Sequence, residues 1–487
     1  MRRSLTTKAT AIITMAAMLF SMAGCSKNDG NTAGNGDDKT ANNESSADQA
    51  SEGDSAADDG YEIIKDKDGK PVDLGGMEII IRDWWSGDPT DPANEYEEAV
   101  KEYRDWIQET YNFTIKPQAM SDWGTTPTDF VDYATTGGDE NYIFTLRDDP
   151  AITSAMANGL MYDLSTLDCL DFKSDKFQRN LLHEQYSSGD HIYAMFAGYS
   201  EARTGVYFNK RLLKDAGVDP ESIYDMQKDG TWTWDAFEEL LSKVQKDKDN
   251  DGVIDVYGLT LNEGVMTSEA IFANNGSYID KDKDGKFKYN LESPETLEAL
   301  EWCVKIYKKY DMPDPEGAEW DYYKEAFLNG QAAFLVEDEY AGCPGNFLED
   351  MKDEVGFVMF PKGPKADDYI NVWCNNPVAI PACYDKEKAW KLAFAWNLYT
   401  NPPKGYEDYN GYLSTARNGI FDSRAVDETI AMMTEKGKIA YHSMIPNLNL
   451  GSDFVWNIGP DAVVSEQVEK IRDTWKSYVD DANKNIK

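Results

Sequence analysis

The sequence predicts an α/β protein with more than one largely parallel sheet. From Tyr61 onward, apolar runs of strand length alternate with longer stretches of helical periodicity. The first three of these read strand, helix, strand, the order of a right-handed βαβ unit. No period of solenoid length appears, and 487 residues with 41% hydrophobic content leave room for two or three cores.

The elements follow in order. Gly75 and Gly76 precede Met77, Glu78, Ile79, Ile80 and Ile81, which read as a buried strand. Tyr96, Ala99, Val100, Tyr103, Trp106, Ile107 and Thr110 share one helical face, and Phe113, Thr114 and Ile115 form the second strand. Further strands are expected over 142–146, 205–208, 332–336, 355–360 and 377–380. Thr233 is placed to cap a helix over 234–244, and Ser293 followed by Pro294 opens another. Ala389, Leu392, Ala393, Trp396 and Tyr399 make a last core-facing stripe. Trp106, Trp302, Trp390 and Trp396 all fall on helical stripes and are expected in the core.

The chain opens differently. Arg2, Arg3 and Lys8 form a positive n-region before an apolar run over 9–23, too short to span a bilayer and suited to a secretory signal. It ends in Met22, Ala23, Gly24 and Cys25, which resembles a bacterial lipobox, so residues 1–24 are expected to be removed and Cys25 lipidated. Residues 26–60 hold nine acids, two lysines and no Val, Ile, Leu, Met, Phe, Trp or Tyr. Such a segment cannot bury enough apolar surface to offset its chain entropy, and 25–60 is expected to be a disordered acidic tether.

Charge excludes several classes. With 48 Lys and Arg against 88 Asp and Glu, the net charge is −40, and nucleic acid is excluded as a partner because phosphate binding needs a basic surface. A mean hydropathy of −0.61 argues against a polytopic membrane protein. Three His residues leave little for a transition-metal site. Cys169, Cys303, Cys343, Cys374 and Cys383 include no CxxC pair and read as free thiols.

Thr204, Gly205, Val206, Tyr207, Phe208, Asn209 and Lys210, with Leu212, Leu213 and Ala216-Gly217-Val218 behind them, are similar to a hallmark of family 1 extracellular solute-binding proteins. The Trp232-Thr233-Trp234 helix start, Phe327 to Phe334 as F-x-x-G-x-A-A, Pro361-Lys362-Gly363-Pro364 and Val378-Ala379-Ile380 resemble later motifs of that family, in order over 61–487. The resemblance implies a two-lobed, periplasmic-binding-protein-like fold: hinged lobes, each a mainly parallel sheet flanked by helices, with the chain crossing between them. Lobe 1 is expected over 73–203 and 365–423, lobe 2 over 204–364 and 424–487. It also implies capture of a sugar, an oligosaccharide given the 12% aromatic content, in the interlobe cleft and delivery to the permease subunits of an ABC importer. The protein would be a monomer on the extracellular face of a Gram-positive cell membrane, held by its lipid alone, and would catalyse nothing.

Cleft residues are expected where open α/β sheets place ligands, beyond the carboxyl ends of strands. Asp83, Trp84 and Trp85 follow the first strand and Trp123 follows the second. Tyr340, preceded by Glu337 and Asp338, lies where the family's F-x-x-G-x-A-A strand delivers a stacking ring, and Trp456 where its C-terminal helices contribute one. Trp373 and Asn375 precede the returning strand, and Asn275 is placed to reach the cleft from lobe 2.

Asp247, Asp249, Asp251, Val253 and Asp255 occupy positions 1, 3, 5, 7 and 9 of a calcium-loop pattern with Gly252 at 6, but Gly258 stands where the bidentate Glu belongs. Structural Ca²⁺ is expected there. The alternatives are a secreted glycoside hydrolase working with two carboxylates, and a surface glycan-binding protein with no transporter.

Overall fold

The computed structural model describes residues 60–180, 182–373 and 376–484; the leader, Cys25, most of the tether and Asn375 lie outside them. The strands are β1 (Met77–Asp83), β2 (Phe113–Ala119), β3 (Tyr142–Thr145), β4 (Thr204–Asn209), β5 (Tyr257–Leu261), β6 (Ala332–Asp338), β7 (Val355–Met359), β8 (Asn371–Trp373), β9 (Val378–Ala379) and β10 (Gly437–Ile439). The helices that matter to the site are α1 (Glu95–Tyr111), α2 (Pro150–Ala157), α3 (Trp234–Val244), α4 (Glu263–Ala273), α5 (Pro294–Tyr310), α6 (Tyr322–Leu328), α7 (Lys386–Tyr399), α8 (Gly411–Arg417) and α9 (Val464–Lys484).

The first sheet has the order β9-β3-β1-β2, with β1 parallel to both neighbours and Ile79 opposite Ile115. Alternation buries Ile79, Ile81 and Asp83 on one side of β1. α1 begins sharply because the Asn94 side chain accepts the Glu97 N–H while the Glu97 carboxylate accepts the Ala93 N–H. It ends at Asn112 in the left-handed region, having buried Tyr103, Ile107 and Tyr111.

The second sheet has the order β7-β4-β6-β5 and is mixed. β4 runs antiparallel to both β6 and β7, whereas β5 and β6 are parallel. The parallel sheet expected from the sequence is corrected here: the chain enters the second lobe at the end where β6 finishes, so its first strand must run the other way. For the same reason β9, re-entering the first sheet, is antiparallel to β3.

Each sheet carries its own core, the larger one on the second sheet. Residues 411–423, expected in lobe 1, pack through Ala416 and Phe421 into that larger core, and Tyr369 does the same before β8. The return into lobe 1 is therefore shorter than expected, running from β9 through α7. The crossing segments are tied to one another. Asn371 accepts the Arg203 N–H at 3.1 Å and donates to the Glu201 and Met433 carbonyls. Tyr199 donates to the Asp408 carbonyl at 3.2 Å. Farther on, Thr153 of α2 donates to the Ser443 carbonyl at 2.7 Å, holding the segment after β10 against lobe 1. Among the described residues no helix is long and apolar enough to cross a membrane.

Candidate functional site

On lobe 1 the carboxyl ends of β1, β2 and β3 share one edge. Asp83 is buried there and its carboxylate accepts the Trp85 and Ser86 N–H groups at 3.2 and 3.0 Å, together with the Ser86 hydroxyl. This residue, expected to touch ligand, instead builds the turn that presents the two tryptophans. Trp84 and Trp85 meet edge to face at 4.7 Å. Trp84 is half-buried and Trp85 is 55% exposed, so Trp85 is the outward ring. Trp123 is 61% exposed. The Arg147 guanidinium lies 4.0 Å from its ring centroid, donates to its carbonyl at 2.7 Å and pairs with Asp149 at 2.9 Å. That contact braces one face of the indole and leaves the other open.

On lobe 2 the corresponding edge is the end of β5 and β6. Glu337 is buried and accepts the Tyr323 hydroxyl at 2.7 Å and the Asp338 N–H at 2.9 Å. Burial, then the charge of Asp338, pushes its carboxyl up to about 7. Asp338 accepts the Thr204 hydroxyl at 2.7 Å. Glu339, also buried, accepts the Cys343 thiol at 3.1 Å and is likewise pushed up to about 7, chiefly by burial. Tyr340 projects beyond them, 43% exposed.

Trp456 is 67% exposed and reaches this edge from the C-terminal segment. Its indole crosses two glycines: a Cβ on Gly264, at the start of α4, would stand 3.3 Å from it, and one on Gly451 only 2.7 Å. Trp320, at the mouth of α6, is 74% exposed. It escaped the sequence reading because it stands in a polar loop outside any motif; a tryptophan between Glu319 and Asp321, on no apolar stripe, was the available signal.

One expected contact lies elsewhere. Trp373 is buried, its indole N–H directed at the Met433 carbonyl and its ring packed where a Gly437 side chain would be. It is a packing residue of the β8–β10 pair, which corrects the expectation that it stacks on ligand. Asn275 sits in a left-handed turn after α4 and accepts the Lys438 ammonium at 3.0 Å. A cavity of about 1870 Å³ begins at Ser86 and Gly87 and runs along β2 to Tyr96, Tyr409 and Tyr412, beside the crossing segments.

In the acidic loop, carboxylate oxygens of Asp247, Asp249 and Asp255 lie within 4.8 Å of one another. Asp251 does not join them; it accepts the Val253 N–H at 2.7 Å. Asp247 accepts the Asn250 and Gly252 N–H groups, and both of those residues hold positive φ. The loop thus offers three convergent hard oxygen donors, the chemistry of a calcium site with an incomplete shell.

The profile of the family described as bacterial extracellular solute-binding protein matches residues 135–398. The chain belongs to that family. Comparison with curated protein sequences returns no match. Among solved structures, the solute-binding protein is similar in fold to the cyclic α-maltosyl-1,6-maltose binding protein of Arthrobacter globiformis (16% identity, 84% of this chain and 100% of that one, TM-score 0.58). It is also similar to an ABC substrate-binding protein of Listeria monocytogenes in complex with cycloalternan (18%, 84% and 98%, TM-score 0.52). A third is UgpB of Mycobacterium tuberculosis in complex with glycerophosphocholine (16%, 79% and 95%, TM-score 0.56). These neighbours are two-lobed binding proteins, and the solute-binding protein shares their α/β architecture.

Proposed function

We propose that this solute-binding protein captures a neutral oligosaccharide between its lobes and delivers it to the permease subunits of an ABC importer. The observation that carries the reading is the set of exposed rings on two sheet edges: Trp85 and Trp123 on lobe 1, Tyr340 and Trp456 on lobe 2. Sugars offer flat C–H faces to such rings and hydroxyls to carboxylates and amides between them. The carbohydrates bound by the Arthrobacter and Listeria neighbours support the same class. Ligand contacts from both lobes would favour the closed state and so drive hinge closure.

The rest of the reading follows from the leader and the acidic loop. Lipidation at Cys25 and a tether over 25–60 would hold the monomer on the outer face of a Gram-positive membrane. Ca²⁺ would sit among Asp247, Asp249 and Asp255, with the Val253 carbonyl as a further donor, and stiffen the turn before β5. No chemical step is assigned to the cleft. Glu337 and Glu339 are committed to Tyr323 and Cys343 and are not posed as a hydrolytic pair.

The test is a thermal-shift panel of neutral oligosaccharides, polyol phosphates and glycerophosphodiesters, followed by calorimetry on any hit. Stabilisation by one neutral glycan class supports the reading. Stabilisation by the phosphodiesters alone replaces it with the class bound by the Mycobacterium neighbour.

A further inference from the structure

We infer that Lys176 is a proton-sensitive pin of the hinge, holding two crossing segments where they leave lobe 1 and loosening its grip as the medium is acidified. The inference rests on the reading that cargo is captured by closure of the lobes.

The pin stands on a short helix, Asp175–Gln178. Its ammonium caps the carboxyl end of α7, donating to the Asn397 carbonyl at 2.7 Å, to Oδ1 of Asn401 at 2.7 Å and to the Thr400 hydroxyl at 3.3 Å. From there the chain runs on into lobe 2. The carbonyl of the same lysine accepts the Gly198 N–H at 2.7 Å, on the segment that leads into β4. Asn180 supports this second contact by donating to the Gly198 carbonyl at 2.9 Å. Three residues on from the lysine, Arg179 pairs with Asp408 and lies 4.6 Å from the Tyr199 ring centroid, gripping the same two segments farther out. Two of the segments on which lobe 2 hangs thus start from one side chain and its own carbonyl.

In a chain of net charge −40, this ammonium is held by neutral oxygens alone. The carboxylates around it are engaged elsewhere or exposed. Asp168 accepts the Trp390 indole N–H at 2.6 Å, Asp171 the Lys173 N–H at 3.0 Å and Glu407 the Gly405 N–H at 3.0 Å, while Asp175 faces solvent. The Cys169 thiol is directed at the Trp390 carbonyl. From α1, Arg104 lies over the Tyr399 ring at 3.8 Å and the Tyr103 hydroxyl accepts from Asn401 at 3.5 Å. His183 packs on Phe177, whose ring centroid is 5.3 Å from the ammonium. Burial alone lowers the lysine from 10.5 to about 7. An opening that returns the amine to water therefore takes up a proton between those limits, and acid favours the opening. Above about 7 the amine is neutral in the closed pin and the cost of a buried, uncompensated charge is gone. Glu337 and Glu339, raised by burial, act with the opposite sign on lobe 2.

The experiment follows amide hydrogen exchange of Gly198, Thr400 and Asn401, whose N–H groups are held by the Lys176, Trp396 and Leu398 carbonyls. The protein, Lys176→Met and Lys176→Arg are compared at pH 6 and pH 8, with rates corrected for intrinsic exchange. Protection in the parent is expected to rise about 10-fold from pH 6 to pH 8, the factor linkage gives for one proton taken up on opening. Lys176→Met carries no charge and Lys176→Arg keeps its charge at both values, so both are expected to lose the rise. A merely packing lysine would leave protection independent of pH. Equal protection at the two values in the parent, or the same rise in either variant, overturns the inference. No sugar enters the measurement, so that result leaves glycan capture standing.

Discussion

The Tyr323 hydroxyl donates to Oε2 of Glu337 at 2.7 Å, joining the first turn of α6 to the end of β6 inside the second lobe. The bond satisfies a carboxyl that is almost sealed from water, beside Asp338, with Glu339 two positions on in the same condition. Glu337 and Glu339 form a buried acid row, and the Tyr340 hydroxyl that follows is raised by burial and then by the charges of Glu337 and Asp338.

The row makes stability depend on pH. Both carboxyls are raised from an ordinary value of 4.5 to about 7, so the folded state holds more protons than the unfolded chain between those limits. Their contribution is complete below about 4.5 and is lost as pH rises through about 7. The melting temperature should fall by several degrees across that window, and Glu337→Gln should remove its share of the slope. A melting profile that rises from pH 5 to pH 8 in both proteins contradicts the assignment.

Exposure separates binding from packing among the tryptophans. Trp85→Ala and Trp456→Ala should weaken glycan binding about 10-fold with little change in melting temperature. Trp373→Ala should instead destabilise the fold by about 3–5 kcal/mol, because it empties a buried ring site. Denaturant titrations beside calorimetry distinguish the two classes.

Gly451 offers a test that leaves every ring in place. A methyl there would sit 2.7 Å from the Trp456 indole and force it off the glycine surface. Gly451→Ala should reproduce most of the Trp456→Ala loss, whereas Gly459→Ala, with ordinary space around its Cβ, should bind as the parent does.

Calcium should act at the Asp247 loop alone. At a hundredfold excess over the dissociation constant, bound Ca²⁺ adds about 2.7 kcal/mol of stability. Asp249→Asn should abolish the calcium-dependent shift without touching sugar affinity. Equal melting in calcium and in chelator would mean that the loop is only a turn.

Much of this was legible in the chain. Thr233 and Ser293 cap their helices through side-chain acceptance from Ala236 and Thr296, because Thr and Ser at a helix start satisfy otherwise orphaned N–H groups. Of the four tryptophans on helical stripes, Trp302 and Trp396 are buried, whereas Trp106 and Trp390 pack only partly buried against the core of the first sheet. The strand direction of β4 was not legible, since periodicity reports which residues are buried and says nothing of which way a strand runs. Trp373 misled for a related reason: a strand-end tryptophan reads alike whether its ring faces a cleft or a glycine such as Gly437. Trp84 and Trp85 divide their roles through the Asp83 turn, a local geometry that residue type alone does not specify.

The most direct measurement is calorimetric titration of residues 61–487, which cluster as one compact unit, with neutral oligosaccharides, alongside Trp85→Ala and Tyr340→Ala. The account predicts one glycan class bound by the parent and weakened by a substitution on either lobe. Parent-like binding in both variants, or loss in one lobe's variant only, would contradict a cleft that closes on sugar from both sides.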